Sequence, residues 1–181
     1  MKVFKTGLDG LLLIEPQVFR DRRGYFFESY SYQRYRDCGI DCVFVQDNQS
    51  LSAEKGVIRG LHFQRAPHAQ SKLVRCTMGT VMDVIVDLRK KSPTFKKWVS
   101  VELSADNHRQ LFIPAGCAHG FATLTENCLL QYKVDDYYSA ECDGGIAYND
   151  PEFSIDWGIA HPILSEKDKN ALPYSAQDID F

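Results

Sequence analysis

Long apolar runs are missing from this chain: the longest near its start covers residues 11–14, far short of the ~18 that a membrane helix needs and too brief for a signal-peptide core. No membrane partner is expected, and a cytoplasmic protein is. An excess of one charge sign is missing as well. With 21 Lys and Arg against 24 Asp and Glu, the net charge is −3, so no global basic field draws a nucleic-acid backbone and any anionic ligand must be held by local cations. The six cysteines include no Cys-x-x-Cys pair, which argues against zinc; in a chain large enough to build its own core they read as reduced, partly buried thiols. Helical periodicity is scarce, and no repeat, low-complexity stretch or Pro/Ser-rich linker divides the chain.

What is present is an ordinary globular balance, 181 residues with 44% apolar and 25% charged, which predicts one domain over 1–181. Short alternating runs recur through most of the length. Met82, Val84, Val86 and Leu88 fall on one face of a period-two segment, with Val81, Asp83, Ile85 and Asp87 on the other, the pattern of a strand. Similar runs lie at 24–30, 42–47, 57–64, 71–77, 97–103, 109–113, 119–124 and 128–135. Many strands at short spacing, separated by Gly, Pro, Asn and Asp, predict an all-β sandwich or barrel. Short helices are predicted over 31–38 and 165–171, each opening at a serine, and 149–181 reads as an irregular tail on the β body.

Pro114-Ala-Gly116-Cys-Ala-His119 has the Pro-x-Gly-x-x-His shape of a cupin half-motif, in which a tight turn aims a strand-borne imidazole into a barrel mouth; a turn followed by an incidental histidine is the alternative. A metal-binding cupin would also offer a His-x-His pair and a glutamate. This chain instead reads Arg59-Gly60-Leu61-His62-Phe63-Gln64 followed by Lys72, and an ammonium repels a divalent cation. No metal or other cofactor is expected.

GVIRGLHFQ (56–64) followed by AQSKLVR (69–75), together with FRDRRGYFFES (19–29), VQDNQS (45–50), VDLRKKSPTF (86–95), IPAGCAHGF (113–121), YKVDDYYS (132–139) and LSEKD (164–168), closely resembles the dTDP-4-dehydrorhamnose 3,5-epimerase family. The motifs are ordered along residues 16–173, and their co-linearity is far more specific than any one of them. The resemblance implies a cupin-type jelly roll, a homodimer whose N-terminal strands cross between subunits, no metal, and a nucleotide-activated 4-keto-6-deoxyhexose as substrate.

Such chemistry sets its own requirements. A C4 ketone acidifies the hydrogens on C3 and C5, so epimerisation needs a base on one face, an acid on the other, and a cation beside the oxygen that carries the enolate charge. By resemblance, His62 is the base with Asp168 as its carboxylate, Lys72 lies at the C4 oxygen, Tyr132 is the acid opposite His62, and His119 lines the same pocket. Arg23 and Arg59 are assigned to the diphosphate, Glu28, Gln46 and Asn48 surround the nucleotide, and Lys167 lies nearby. Where the family usually has glutamate this chain has Asp143, one methylene shorter, which predicts a lost or water-mediated nucleotide contact. The family's Trp-Pro in the tail is Trp157-Gly158 here. His68, His108 and His161 carry no motif and read as surface or capping residues.

Strict strand alternation puts Arg59 on the face opposite His62, so a bulge or twist at Gly60 is required if both are to reach one ligand. Two rivals stand beside the 3,5-epimerase reading: a single-centre epimerase or keto-isomerase on another nucleotide sugar, separated by product stereochemistry, and a noncatalytic nucleotide-sugar binding module, which would bind without exchanging protons.

Overall fold

A computed structural model describes all 181 residues. In chain order the elements are β1 (Lys2–Lys5), β2 (Leu12–Glu15), β3 (Phe19–Asp21), β4 (Gly24–Phe26), α1 (Tyr32–Arg36), β5 (Gln46–Ser52), β6 (Ile58–Gln64), β7 (Lys72–Met78), β8 (Thr80–Asp87), β9 (Trp98–Ser104), β10 (Gln110–Ile113), β11 (Cys117–Thr123), β12 (Cys128–Val134), β13 (Asp143–Gly145) and α2 (Glu166–Lys169). Antiparallel pairing builds one six-stranded sheet, β1-β2-β10-β7-β12-β5, one five-stranded sheet, β13-β6-β11-β8-β9, and a separate β3-β4 hairpin. The two large sheets face each other as a cupin-like jelly roll, which is the fold class that the strand spacing and the family resemblance imply.

The alternation in β8 explains why the fold has several layers. Val81 and Ile85 pack into the cluster between the sheets, with Val74, Leu111, Phe121 and Leu130. Val84, Val86 and Leu88 face the other way, into a second cluster that the C-terminal segment closes with Phe153, Trp157 and Ile179. Both faces of this strand are therefore dry, and apolar residues occupy both, with Asp83 and Asp87 as buried exceptions on the face of Val81 and Ile85. A third cluster, Ile14, Leu73, Tyr35 and Ile40, seats α1 and its flanks on the outer face of the six-stranded sheet.

Three expectations shift. The strand expected over 24–30 is confined to Gly24–Phe26, paired only with Phe19–Asp21. The strand expected over 42–47 runs instead over Gln46–Ser52: a polar sequence forms it because β12 supplies a full antiparallel partner from Ser52↔Cys128 to Gln46↔Val134. The helices keep their serine starts but are shorter, Tyr32–Arg36 and Glu166–Lys169. Gly158, where the resemblance implies proline, has φ of 63°, a conformation closed to proline.

His108 proves to be more than a surface histidine. Its ring lies 4.5 Å from Tyr25 and 5.2 Å from Phe27 between centroids, and its Nε2 accepts a 3.0 Å hydrogen bond from the Arg20 guanidinium. Burial first, and Arg20 second, hold its pKa below the ordinary imidazole value, with Asp106 opposing. A folded-state pKa lower than the unfolded one stabilises at high pH, and that stabilisation fades as pH falls from the ordinary value of ~6.5 through the folded one. Hydrogen-exchange protection in residues 19–27, taken relative to the intrinsic rate at each pH, is therefore expected to fall between pH 7.5 and 5.5, and to lose that pH response in His108→Ala. An equal response in both proteins would contradict this account.

Candidate active site

Strand β6 brings two side chains to one cavity because it is irregular. His62 pairs with His119 of β11 and Arg59 pairs with Phe121, so three steps on β6 are matched by two on β11. The extra residue turns Arg59 to the side of His62. Gly60 sits at this bulge with φ of 122°, and a Cβ there would lie 2.6 Å from Gly120 Cα and 2.8 Å from the His119 carbonyl oxygen. Glycine is what allows the two backbones to approach.

The cavity measures about 330 Å³, within the range of small-ligand sites. One wall is the five-stranded sheet, which contributes Arg59, His62, His119 and Asp143; the opposite wall is the six-stranded sheet, which contributes Lys72, Tyr132, Gln46 and Asn48. Lys167 and Asp168 of α2 complete the lining. Tyr132 is paired with Asn48 on one side and Val74 on the other, two residues from the Lys72↔Val134 pair, so the phenol and the ammonium project from neighbouring strands. His62 comes from the facing sheet.

His62 Nε2 is 2.5 Å from Asp168 Oδ1. The other carboxylate oxygen accepts from Ser165 Oγ at 2.8 Å, and that hydroxyl in turn caps the helix by accepting from the Asp168 amide at 3.1 Å. Burial would raise the Asp168 carboxyl, but the His62 hydrogen bond, the His62 charge, Ser165 and Lys167 together hold it below the ordinary carboxylate value. With Asp168 accepting from Nε2, neutral His62 keeps its lone pair on Nδ1.

Lys72 is buried. Burial pushes its ammonium down to about 8, with Asp83 and Asp143 opposing that fall and Lys167 assisting it. Burial likewise raises the Tyr132 phenol, against the nearby Arg59. His119 Nε2 is 2.8 Å from Asp83 Oδ1, and both side chains are buried. At the mouth, Arg59 donates to Ser52 Oγ at 3.1 Å and to the Leu51 carbonyl at 3.0 Å, which orients the guanidinium. Gln46 donates to Asn48 at 2.9 Å, and the Lys167 ammonium is paired with Asp143. The shorter carboxylate of Asp143 thus engages a cation of the site itself.

Arg23 and Glu28 do not join this group within one chain. The hairpin folds as its own two-stranded sheet, Arg23 pairs with Asp21 in solvent, and Glu28 pairs with Arg34 at 3.2 Å. Sequence reasoning passed over Asp83, Ser165, Gln70 and Tyr138, the last three of which line the cavity. Asp83 had a signal: it is a carboxylate in phase with the core residues Val81 and Ile85. No three His, Cys, Asp or Glu side chains converge as metal ligands.

A family model described as dTDP-4-dehydrorhamnose 3,5-epimerase matches residues 5–175. The dTDP-4-dehydrorhamnose 3,5-epimerase of Salmonella typhimurium is 53% identical over 94% of each chain. Among solved structures, the Bacillus anthracis enzyme with TDP and PPi bound superposes with a TM-score of 0.93 at 52% identity, covering 95% of this chain and 98% of that one. The Legionella pneumophila enzyme in complex with dTDP-4-keto-L-rhamnose gives a TM-score of 0.93 at 45% identity over 98% and 94% of the two chains.

Proposed function

The chain belongs to the dTDP-4-dehydrorhamnose 3,5-epimerase family, and from that premise we propose that His62, Tyr132 and Lys72 carry its reaction, the inversion of C3 and C5 in dTDP-4-dehydro-6-deoxy-D-glucose to give dTDP-4-dehydro-L-rhamnose. The observation that supports this assignment is the placing of His62 and Tyr132 on opposite walls of one cavity with a buried ammonium between the sheets.

His62 takes the proton from C3, and Asp168 steadies the imidazolium that results. The electron pair moves onto the C4 oxygen, where a cation in a dry cavity stabilises the enolate more than the ketone. Lys72 supplies that cation. Tyr132, kept as a neutral phenol by burial, returns a proton from the opposite side; once His62 has released its proton to water and the tyrosinate has taken one up, the same sequence at C5 inverts the second centre. Arg59 and Lys167 are suited to the diphosphate, since guanidinium and ammonium donors match its oxygens; Gln46, Asn48 and Asp143 lie where they can meet the nucleoside.

Arg23 and Glu28 fit this reading in a homodimer with exchanged N-terminal strands, in which the hairpin of one subunit reaches the cavity of the other. Phe19, Tyr25 and Phe26 on the hairpin are exposed apolar side chains, and β5 is a sheet edge beside the cavity. Trp157 and Ile179 share a buried cluster with Ile58 and Val84, which supports one domain over 1–181. No helix is long and apolar enough to cross a membrane, consistent with the cytoplasmic location expected from the sequence.

Incubation with dTDP-4-dehydro-6-deoxy-D-glucose in deuterium oxide tests the proposal. Both C3 and C5 are expected to acquire deuterium and invert. Exchange at one carbon would identify a single-centre epimerase, and tight binding without exchange would identify a binding module; either result overturns it.

A further inference from the structure

One buried carboxylate has no part in the mechanism above. Asp83 is fully buried on β8, in phase with Val81 and Ile85, where packing alone calls for an apolar side chain. Its Oδ1 is 2.8 Å from His119 Nε2, and its Oδ2 is the one buried side-chain oxygen or nitrogen with no hydrogen-bond partner. An ionised carboxylate taken out of water with an oxygen unpaired is costly. Its neighbourhood explains why the cost is tolerated. Lys72, also buried, lines the same cavity as the His119 that Asp83 holds and makes no hydrogen bond to the protein; Asp83 opposes the fall that burial imposes on its ammonium, as do Asp143 and Cys117, while Lys167 assists it. The other groups around Asp83 are the His119 ring and the Cys76 thiol.

We propose that Asp83 is a positioning residue: its buried charge keeps the Lys72 ammonium protonated at the floor of the cavity and fixes which nitrogen of His119 carries the proton. The catalytic consequence rests on the epimerase reading, in which Lys72 must be cationic when the enolate forms. The electrostatic part does not, because it concerns the empty protein. Without Asp83, burial acts on Lys72 with less opposition, and the side chain becomes a neutral amine that cannot hold an oxyanion. With Asp83 accepting from Nε2, the neutral His119 ring leaves Nδ1 bare.

Asp83→Asn tests this directly, since the amide keeps the shape and its oxygen can still accept from His119 while the charge is gone. In lysine-labelled, substrate-free protein, NMR should place the Lys72 titration near pH 8, the value to which burial pushes it, and ~1–3 units lower in Asp83→Asn. The basic limb of kcat should move by the same amount with KM nearly constant, so that the variant loses about tenfold more activity at pH 8.5 than at pH 6.5. Asp83→Glu, which restores the charge, should return the titration most of the way. An unmoved Lys72 titration in folded Asp83→Asn, or a loss uniform in pH, overturns the proposal. Should Asp83→Asn not fold, Asp83→Ser, smaller and equally uncharged, carries the same Lys72 readout, and an unmoved Lys72 titration there overturns it. Were the wild-type protein to exchange no deuterium while these titrations moved as stated, the epimerase reading would fall and the Asp83–Lys72 coupling would stand.

Discussion

In deuterium oxide, His62→Asn is expected to return its substrate unlabelled at both C3 and C5, with kcat/KM reduced by about 10³-fold or more. General-base catalysis by a positioned side chain contributes ~10²–10⁴, and in the proposed mechanism one imidazole serves both carbons, so its removal silences both exchanges together. Asparagine fills much of the same volume and can still meet Asp168, which makes a folding defect a poor explanation for such a loss. Tyr132→Phe should behave differently. It leaves the base, its carboxylate and the Lys72 ammonium in place, so a proton can still leave the sugar, but the group opposite His62 can no longer supply one. Deuterium should then enter faster than inverted product accumulates. The comparison that decides the assignment is the ratio of exchange to inversion in the two variants. If Tyr132→Phe loses exchange and inversion in equal measure, the phenol is not the proton donor on the second face.

Gly60→Ala is expected to be among the most destabilising single changes in the protein, by about 3–5 kcal/mol, combining strain at a backbone conformation that alanine resists with overpacking. The added methyl would fall 2.6 Å from Gly120 Cα and 2.8 Å from the His119 carbonyl oxygen. Both are backbone atoms, so no side chain can swing aside, and β6 and β11 must separate. Gly158→Ala is the matched control: φ is 63° there, but nothing lies within 4 Å of the new atom, so only the conformational cost of roughly 1 kcal/mol remains. Urea unfolding of the two variants against wild type makes the comparison, and similar midpoints would refute the close-approach argument. Because the bulge sets the relative direction of Arg59 and His62, any folded Gly60→Ala should also bind a diphosphate-bearing substrate poorly.

How much of this was legible in the residues depends on what each strand faces. β8 could be read because both of its faces are dry and its alternation is unbroken. β5 was displaced by several residues because Gln46, Asn48 and Ser50 serve a cavity, and polar residues serving a ligand erase the hydrophobic signal that marks a strand. The conflict between Arg59 and His62 was visible in the spacing, which demanded an irregularity; its location depended on a second glycine, Gly120, sixty residues away on the neighbouring strand. Asp83 could have been singled out as a charge on a core face. Ser165 was visible as a helix start, although its bond to Asp168 was not. Arg23 and Glu28 were assigned by family pattern, and the folded single chain holds Arg23 on the hairpin and Glu28 beside Arg34, outside the cavity of His62, so whether they serve the site is a matter of assembly rather than of local sequence.

The carboxylate beside His62 has one further consequence. Asp168 lies on a single turn of helix in the irregular C-terminal segment, attached to the body by its own bond to His62 and by the parallel bridge between Val57 and Ile163. Both large sheets are complete by Gly145. The segment that carries Asp168 also brings Phe153, Trp157 and Ile179 to cover Val84 and Val86 of β8. A cut between Gly145 and Phe153 would therefore strip the cover from that sheet and the carboxylate from His62 in one event.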